Sequence, residues 1–203
     1  MAIAIQEQNT KDSVREQIRN TISLITPYDE IERLHIEDAL HWIDSNVEIF
    51  RISKPANPSK HLVCATVFVD PLETRILLLE NNKAGLLLPN GGHVDPGELP
   101  LQTVQREVRE EMSEEATLLF NSELPFFIDQ SITVGQTAGH TDVTLWFVLN
   151  RNSKMGINDQ SEEFKREFGK YYWLNPQEIL EMDIRKLNPN MHRFVNKLNK
   201  YIK

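Results

Sequence analysis

The sequence predicts a mixed α/β protein, with a helical N-terminal extension over residues 1–54 and an α/β domain over 55–203. Three observations carry this reading. Before residue 45, apolar residues recur at helical spacing: Val14, Ile18, Ile22 and Ile25, then Ile31, Leu34, Ala39, Leu40 and Ile43, as a buried helix face requires. Pro55-Ala56-Asn57-Pro58 reads as a linker, after which the pattern turns extended. A strongly amphipathic stretch over 100–113 then interrupts a series of short strand candidates, which makes the architecture mixed.

Taken in order, the first helix rests on Val14 to Ile25. Thr26-Pro27-Tyr28-Asp29 can start a second, with Thr26 as cap, Pro27 in the first helical position and Asp29 reaching back, and Ser45-Asn46 ends it. These helices are expected to cover the core, form a homodimer or border a pocket. His35 and His41 lie six apart, without the i, i+4 spacing of two metal-binding histidines on one helix face. Residues 62–69 and 75–80 read as neighbouring strands around the turn Asp70-Pro71-Leu72-Glu73, and 86–88 as a short strand. Beyond the amphipathic helix, 116–120, 126–134, 143–149 and 171–174 are strand candidates, and 176–182 and 190–201 suggest terminal helices.

Composition narrows the function classes. A chain of 203 residues with 40% hydrophobic content can bury one substantial core and a modest appendage. A net charge of -8 argues against broad nucleic-acid binding, which draws on phosphate neutralisation by Lys and Arg. No apolar run reaches the roughly eighteen residues of a membrane span, and the N-terminus lacks the apolar segment of a signal peptide, so a cytoplasmic protein is expected. Cys64 stands alone in an apolar run and reads as a small core residue.

The chemistry concentrates in Gly92-His93-Val94-Asp95-Pro96-Gly97-Glu98 and in Arg106-Glu107-Val108-Arg109-Glu110-Glu111. Pro100 suits a first helical turn and the residues after Gln102 are mostly good helix formers. Glu107, Glu110 and Glu111 then share one arc of about 100°, beside a packing stripe of Leu101, Val104, Val108 and Met112. Like charges at that spacing repel, and a divalent cation reverses the sign of the cost. Carboxylates without cysteine or clustered histidine suit Mg²⁺, Mn²⁺ or Ca²⁺, and Mg²⁺ shares its coordination with water and substrate phosphates. The implied chemistry is attack of water on a phosphoanhydride. The alternative is a solvated acidic face with Arg106 and Arg109 as intrahelical partners.

The same stretch resembles the box of the Nudix hydrolases, G-x5-E-x7-R-E-U-x-E-E-x-G-U with U a bulky aliphatic residue. Gly92, Glu98, Arg106, Glu107, Val108, Glu110 and Glu111 match in type and spacing, whereas Ser113 and Glu114 replace the final glycine and aliphatic residue. The resemblance implies an α/β/α sandwich with a mixed sheet. It also implies a pyrophosphohydrolase that uses Mg²⁺ (or Mn²⁺) to cleave a phosphoanhydride bond in a nucleoside diphosphate-linked substrate. It assigns Glu107, Glu110 and Glu111 to the metal, directly or through water, Glu98 to support of the loop and metal site, and Arg106 to orienting a glutamate by an ion pair. An ordinary i, i+4 bridge to Glu110, or packing on the Gln102 side, is the alternative role for Arg106. The general base varies in this family; Glu110 or Glu111 is the first choice and Glu163, in the loop before Tyr171, the second.

Gly91 and Gly92 can bring backbone close to phosphate or simply satisfy a turn. His93 and His140 can touch phosphate or adjust water, with loop hydrogen bonds as the plainer role. Trp146 and Trp173 can stack on a base, but packing is the commoner use of aromatic residues at strand spacing. A small nucleotide, foremost a nucleoside triphosphate, is the expected partner. The alternative is a nucleotide-sensing Nudix module with little or no turnover, whose N-terminal helices transmit binding.

Overall fold

A computed structural model of the chain describes residues 2–54, 56–135 and 138–202, with side chains from residue 13 onward. Two helices open it: α1 (Ala2–Ser23) and α2 (Glu30–Asp44). The cap of α2 is Asp29, not Thr26. Asp29 Oδ1 accepts from the Glu32 amide at 2.8 Å and Glu32 Oε2 accepts from the Tyr28 amide at 2.6 Å. A carboxylate at the positive helix end, also bonded to the Arg193 guanidinium at 2.6 Å, is a stronger cap than a neutral hydroxyl, and Pro27 is left outside the helix.

Seven strands follow as one mixed sheet. β1 (Lys60–Asp70), β2 (Arg75–Asn81), β3 (Leu87–Leu88) and β4 (Asn90–His93) precede α3 (Pro100–Met112). β5 (Phe127–Ile132), β6 (Thr141–Asn150), α4 (Glu162–Glu167), β7 (Phe168–Leu174), α5 (Pro176–Glu181), a 3-10 turn at Ile184–Lys186 and α6 (Met191–Leu198) complete the chain. The order is β3-β2-β1-β6-β5, with β7 on β2 and β4 on β1; β1 and β6 run parallel and the other pairs antiparallel. β1 changes partner along its length: Val69 and Asp70 pair with β2, whereas Val63 to Thr66 pair with β4. A cleft opens where the two partners part.

Strand alternation sorts side chains onto two faces. Leu62, Cys64, Phe68, Leu77, Leu79, Leu145 and Phe147 join one buried cluster with Val104, Val108 and Met112 of α3. Ile18, Ile22, Ile36, Ala39 and Ile43 of α1 and α2 belong to that same cluster. Val67, Val69, Ile76, Leu78, Trp146 and Val148 face the other way, onto Ile179 of α5 and Phe194, Val195 and Leu198 of α6. The result is an α/β/α sandwich in which α1 and α2 share a layer with α3.

Glu32 ties the layers together around the β5 edge. Fully buried, it accepts from the Ile128 amide of β5 and from Lys197 Nζ of α6 at 2.8 Å. It thereby pairs an edge-strand N–H that would otherwise invite another strand.

Three differences from the sequence reading are local. Residues 116–120 form no strand of their own; Leu118 makes a single antiparallel bridge to Leu149 of β6, flanked by the Leu119–Val148 and Asn150–Thr117 backbone hydrogen bonds. β4 reads as a loop in sequence because Asn-Gly-Gly-His carries no apolar alternation. The short helix α4, capped by Ser161 Oγ on the Phe164 amide, replaces an expected loop. Among the described residues no helix is long and apolar enough to cross a membrane.

Candidate active site

The acidic face of α3 is presented by its packing. Pro100 occupies the first turn, Gln102 Oε1 accepts from the Leu99 amide at 2.8 Å, and Val104, Val108 and Met112 seat the helix on the sheet. Glu107, Glu110 and Glu111 thereby line a cavity of ≈ 910 Å³ in the β1 cleft, opposite Gly91, Gly92 and His93 of β4. Ser113 ends the helix in the left-handed region (φ 56), where glycine would be unstrained. Glu114, in place of the family's aliphatic residue, accepts from Arg151 Nε at 2.8 Å.

Both cavity glycines are required by close packing. A Cβ on Gly92 would lie 2.0 Å from Glu107 Oε1, so the glycine lets that carboxylate rest against the β4 backbone. A Cβ on Gly91 would lie 2.1 Å from the Cys64 carbonyl oxygen, across the β1–β4 pairing. Cys64 itself is buried, and burial pushes its thiol well up, consistent with a core role.

Arg106 is the hub of the box. Its Nε and Nη2 donate to the two oxygens of Glu98, each at 3.0 Å, and Nη1 donates to Glu107 Oε1 at 2.7 Å. Nη2 also donates to the His93 carbonyl at 3.0 Å, while the contact to Glu110 is longer, at 3.4 Å. The ordinary i, i+4 bridge is therefore the weakest of its bonds. Glu98 also accepts from Thr103 Oγ1 at 2.7 Å and the Asp95 amide at 3.2 Å. Burial would raise the Glu98 pKa, but the bonds from Arg106 and Thr103 outweigh it and hold the group ionised below its ordinary range.

Glu107 and Glu111 shift in the opposite direction from Glu98. Burial raises both, and the charge of Glu107 adds to the shift on Glu111, which is pushed up to about 8. Glu111 Oε2 is buried without a hydrogen-bond partner. Glu167, at the end of α4, adds to the negative field on Glu111 and lines the cavity; Lys83 Nζ lies 2.6 Å from it. Glu163 is exposed one turn earlier and does not line the cavity. It shares a helix face with Glu167 but lies a turn farther from the cavity.

Other cavity groups escaped the sequence reading. Arg51 and Lys54, just ahead of the linker, supply cationic lining; only the fold brings them opposite the box. Trp146 is fully buried and donates to Asp129, and Trp173 packs against the core, so neither lines the cavity. His93 and His140 join a third histidine, His61, and Asp142 in a cluster on the other face of β4 from Glu107.

A carboxylate-lined cleft beside an arginine-tethered loop, on a mixed sheet between helical layers, defines a class of small hydrolases. The NUDIX domain family model matches residues 60–198, and the chain belongs to the Nudix hydrolase family, which cleaves nucleoside diphosphate-linked substrates. It is accordingly a pyrophosphohydrolase by class. Among solved structures, a NUDIX-family hydrolase from Clostridium perfringens is 20% identical, with a TM-score of 0.51, over 70% of this chain and 97% of that one. The MutT protein from Methanosarcina mazei Go1 is likewise 20% identical, with a TM-score of 0.50, over 70% and 94%. The dihydroneopterin triphosphate pyrophosphohydrolase of E. coli is 15% identical, with the same TM-score of 0.50 and coverage of 70% and 94%. These likenesses establish the shared fold. No curated protein matches the chain.

Proposed function

We propose that this protein hydrolyses a phosphoanhydride bond in a nucleoside triphosphate or related nucleotide, using Mg²⁺ or Mn²⁺ held by Glu107, Glu110 and Glu111. The observation that carries the reading is Glu111, a carboxylate whose Oε2 is buried without a partner beside the charges of Glu107 and Glu167. A dication would turn each of these repulsions into attraction, and an all-carboxylate donor set suits a hard ion. Such an ion, when bound, makes water more acidic and draws charge from phosphate oxygens.

The chain's own groups have separable tasks. Glu98 has both oxygens occupied by Arg106, Thr103 and the Asp95 amide, so it positions Arg106 and the loop and leaves coordination to the helix. Arg106 in turn orients Glu107 and holds the His93 carbonyl. Glu110 or Glu111 is the proposed base; Glu167, inside the cavity, replaces exposed Glu163 as the second candidate. The backbone of Gly91, Gly92 and His93 forms one wall for the phosphates, and Arg51 and Lys54 supply opposing positive charge. A cavity of ≈ 910 Å³ accommodates a nucleotide-sized ligand.

The test is a hydrolysis screen with Mg²⁺ over nucleoside triphosphates, dinucleoside polyphosphates, ADP-ribose, NADH and nucleotide sugars, with products identified in ¹⁸O-labelled water. Metal-dependent turnover that places label in a phosphate product, and that stops on chelation, is the expected result. Tight nucleotide binding without turnover at high protein concentration would replace the hydrolase by a sensing module.

A further inference from the structure

The groups whose ligand atoms converge most closely, among the described residues, are not the glutamates of α3. They are His61, His93, His140 and Asp142, each offering one atom within 4.8 Å of the others. Strand register assembles them. His61 of β1 lies directly opposite Asp142 of β6, and His93 of β4 lies opposite Val63, two residues beyond His61 and so on the same sheet face. His140 precedes β6 and its ring centroid lies 4.9 Å from that of His61. Gly92 points instead toward Glu107, so the cluster lies on the other face of β4 from the acids of α3, although His93, His140 and Asp142 line the same cavity.

We propose that His61, His93, His140 and Asp142 form a second metal site, built for a transition-metal dication of the zinc class, with a ligand set distinct from the carboxylates on α3.

The hydrogen-bonding pattern favours a metal over a simple polar cluster. His61 Nδ1 lies 2.8 Å from the Pro58 carbonyl, an acceptor, so Nδ1 carries a proton and the neutral ring would offer Nε2 as a ligand. That Nε2 lies 3.2 Å from Asp142 Oδ1, close enough for an ion pair, yet both atoms are buried without a hydrogen bond of acceptable geometry. With a neutral ring, two buried lone pairs facing one another are unfavourable unless a proton or a metal cation lies between them. His140 is held the same way: Nδ1 is 2.9 Å from Thr133 Oγ1, whose hydroxyl reaches the His140 carbonyl at 3.1 Å, leaving Nε2 turned toward Asp142 Oδ1 at 3.3 Å. Metal-binding histidines are held in this manner, the second ring nitrogen donating to protein oxygen.

A shared proton is the competing occupant, and the Co²⁺ spectrum distinguishes it from a metal. His93 Nε2 is also buried and unpartnered. Distances agree with the metal class: the edge of a tetrahedron with bonds of about 2.0–2.1 Å is about 3.3 Å, near the 3.2 and 3.3 Å already separating Asp142 from His61 and His140. Three imidazoles and one carboxylate suit zinc-like ions better than Mg²⁺. Because Arg106 bonds the carbonyl of His93, a metal on the imidazole would fix the cleft wall from the opposite face of β4.

The test uses the full chain, purified without metal-chelate chromatography. Zn²⁺ is titrated in the presence of excess Mg²⁺, metal content is measured after dialysis, and Co²⁺ replaces Zn²⁺ for visible spectroscopy. Stoichiometric Zn²⁺ that Mg²⁺ does not displace, retained by Glu111→Gln and weakened more than about tenfold by His93→Gln and Asp142→Asn, is the expected result. No Zn²⁺ binding, equal binding by the two cluster variants, or loss in Glu111→Gln alone would each overturn the proposal. Where a cluster variant does not fold, the wild-type Co²⁺ spectrum decides: intense bands of low-coordinate, nitrogen-bound Co²⁺ support the site, and the pale spectrum of octahedral Co²⁺ refutes it. None of these readouts requires the protein to hydrolyse anything.

Discussion

Replacing Glu111 by glutamine removes a charge that the fold buries beside other negative groups. Its carboxyl titrates at about 8 in the folded protein against an ordinary value of 4.5, and each pH unit of that difference corresponds to about 1.36 kcal/mol. The fully ionised group therefore costs the metal-free protein about 4–5 kcal/mol, as an upper figure before local relaxation. The sign follows from linkage. Below about pH 4.5 the carboxyl is protonated in both folded and unfolded chains and nothing is lost. Between about 4.5 and about 8 only the unfolded chain releases the proton, so stability falls as pH rises. Urea unfolding in chelator should show wild type and Glu111→Gln alike near about pH 4.5 and the variant more stable by several kcal/mol near about pH 9. Saturating Mg²⁺ should reverse the order, and hydrolysis by the variant should fall about 10²–10⁴-fold, the range for loss of a general base. A wild type whose metal-free stability falls no more steeply with pH than that of the variant would refute the reasoning.

Three further outcomes follow from the same structure. Gly92→Ala would place a Cβ 2.0 Å from Glu107 Oε1, so kcat should drop while stability falls by about 1–3 kcal/mol; steady-state kinetics showing unchanged kcat would mean that the Glu107 position is not needed. Glu32→Ala leaves Lys197 buried without its carboxylate and should cost about 3–5 kcal/mol in urea unfolding, with a loss under about 1 kcal/mol disproving the role of the pair. Deleting residues 1–45 removes Ile18, Ile22 and Ile43, each fully or nearly fully buried and worth about 1.5–3 kcal/mol. The truncated chain should therefore fail to unfold cooperatively by circular dichroism, and a soluble, cooperatively folded product would show that the shared core is dispensable.

Local periodicity was enough for the elements that carry their own pattern. The acidic and apolar faces of α3 are set by a 3.6-residue repeat within thirteen residues, and the box spacing made their chemistry legible. β1, β2 and β6 were legible because strands buried on both faces read as apolar runs. Groups that depend on distant partners were not. Asn90 to His93 become a strand only because β1 supplies hydrogen bonds to a segment without strand-like side chains. Glu167 reaches the cavity and Glu163 does not because the two share a helix face four residues apart and only the C-terminal end of α4 meets the cavity. His61, His93, His140 and Asp142 share no motif in the sequence; they meet through the β1–β4 and β1–β6 registers, and a one-residue slip in either would send a member to the other face. The sequence alone determined which helix bears the acids, because helical geometry is local. Tertiary structure alone decided which of them are buried, which arginine bonds hold them and which histidines face one another, because burial and strand register are properties of the whole sheet.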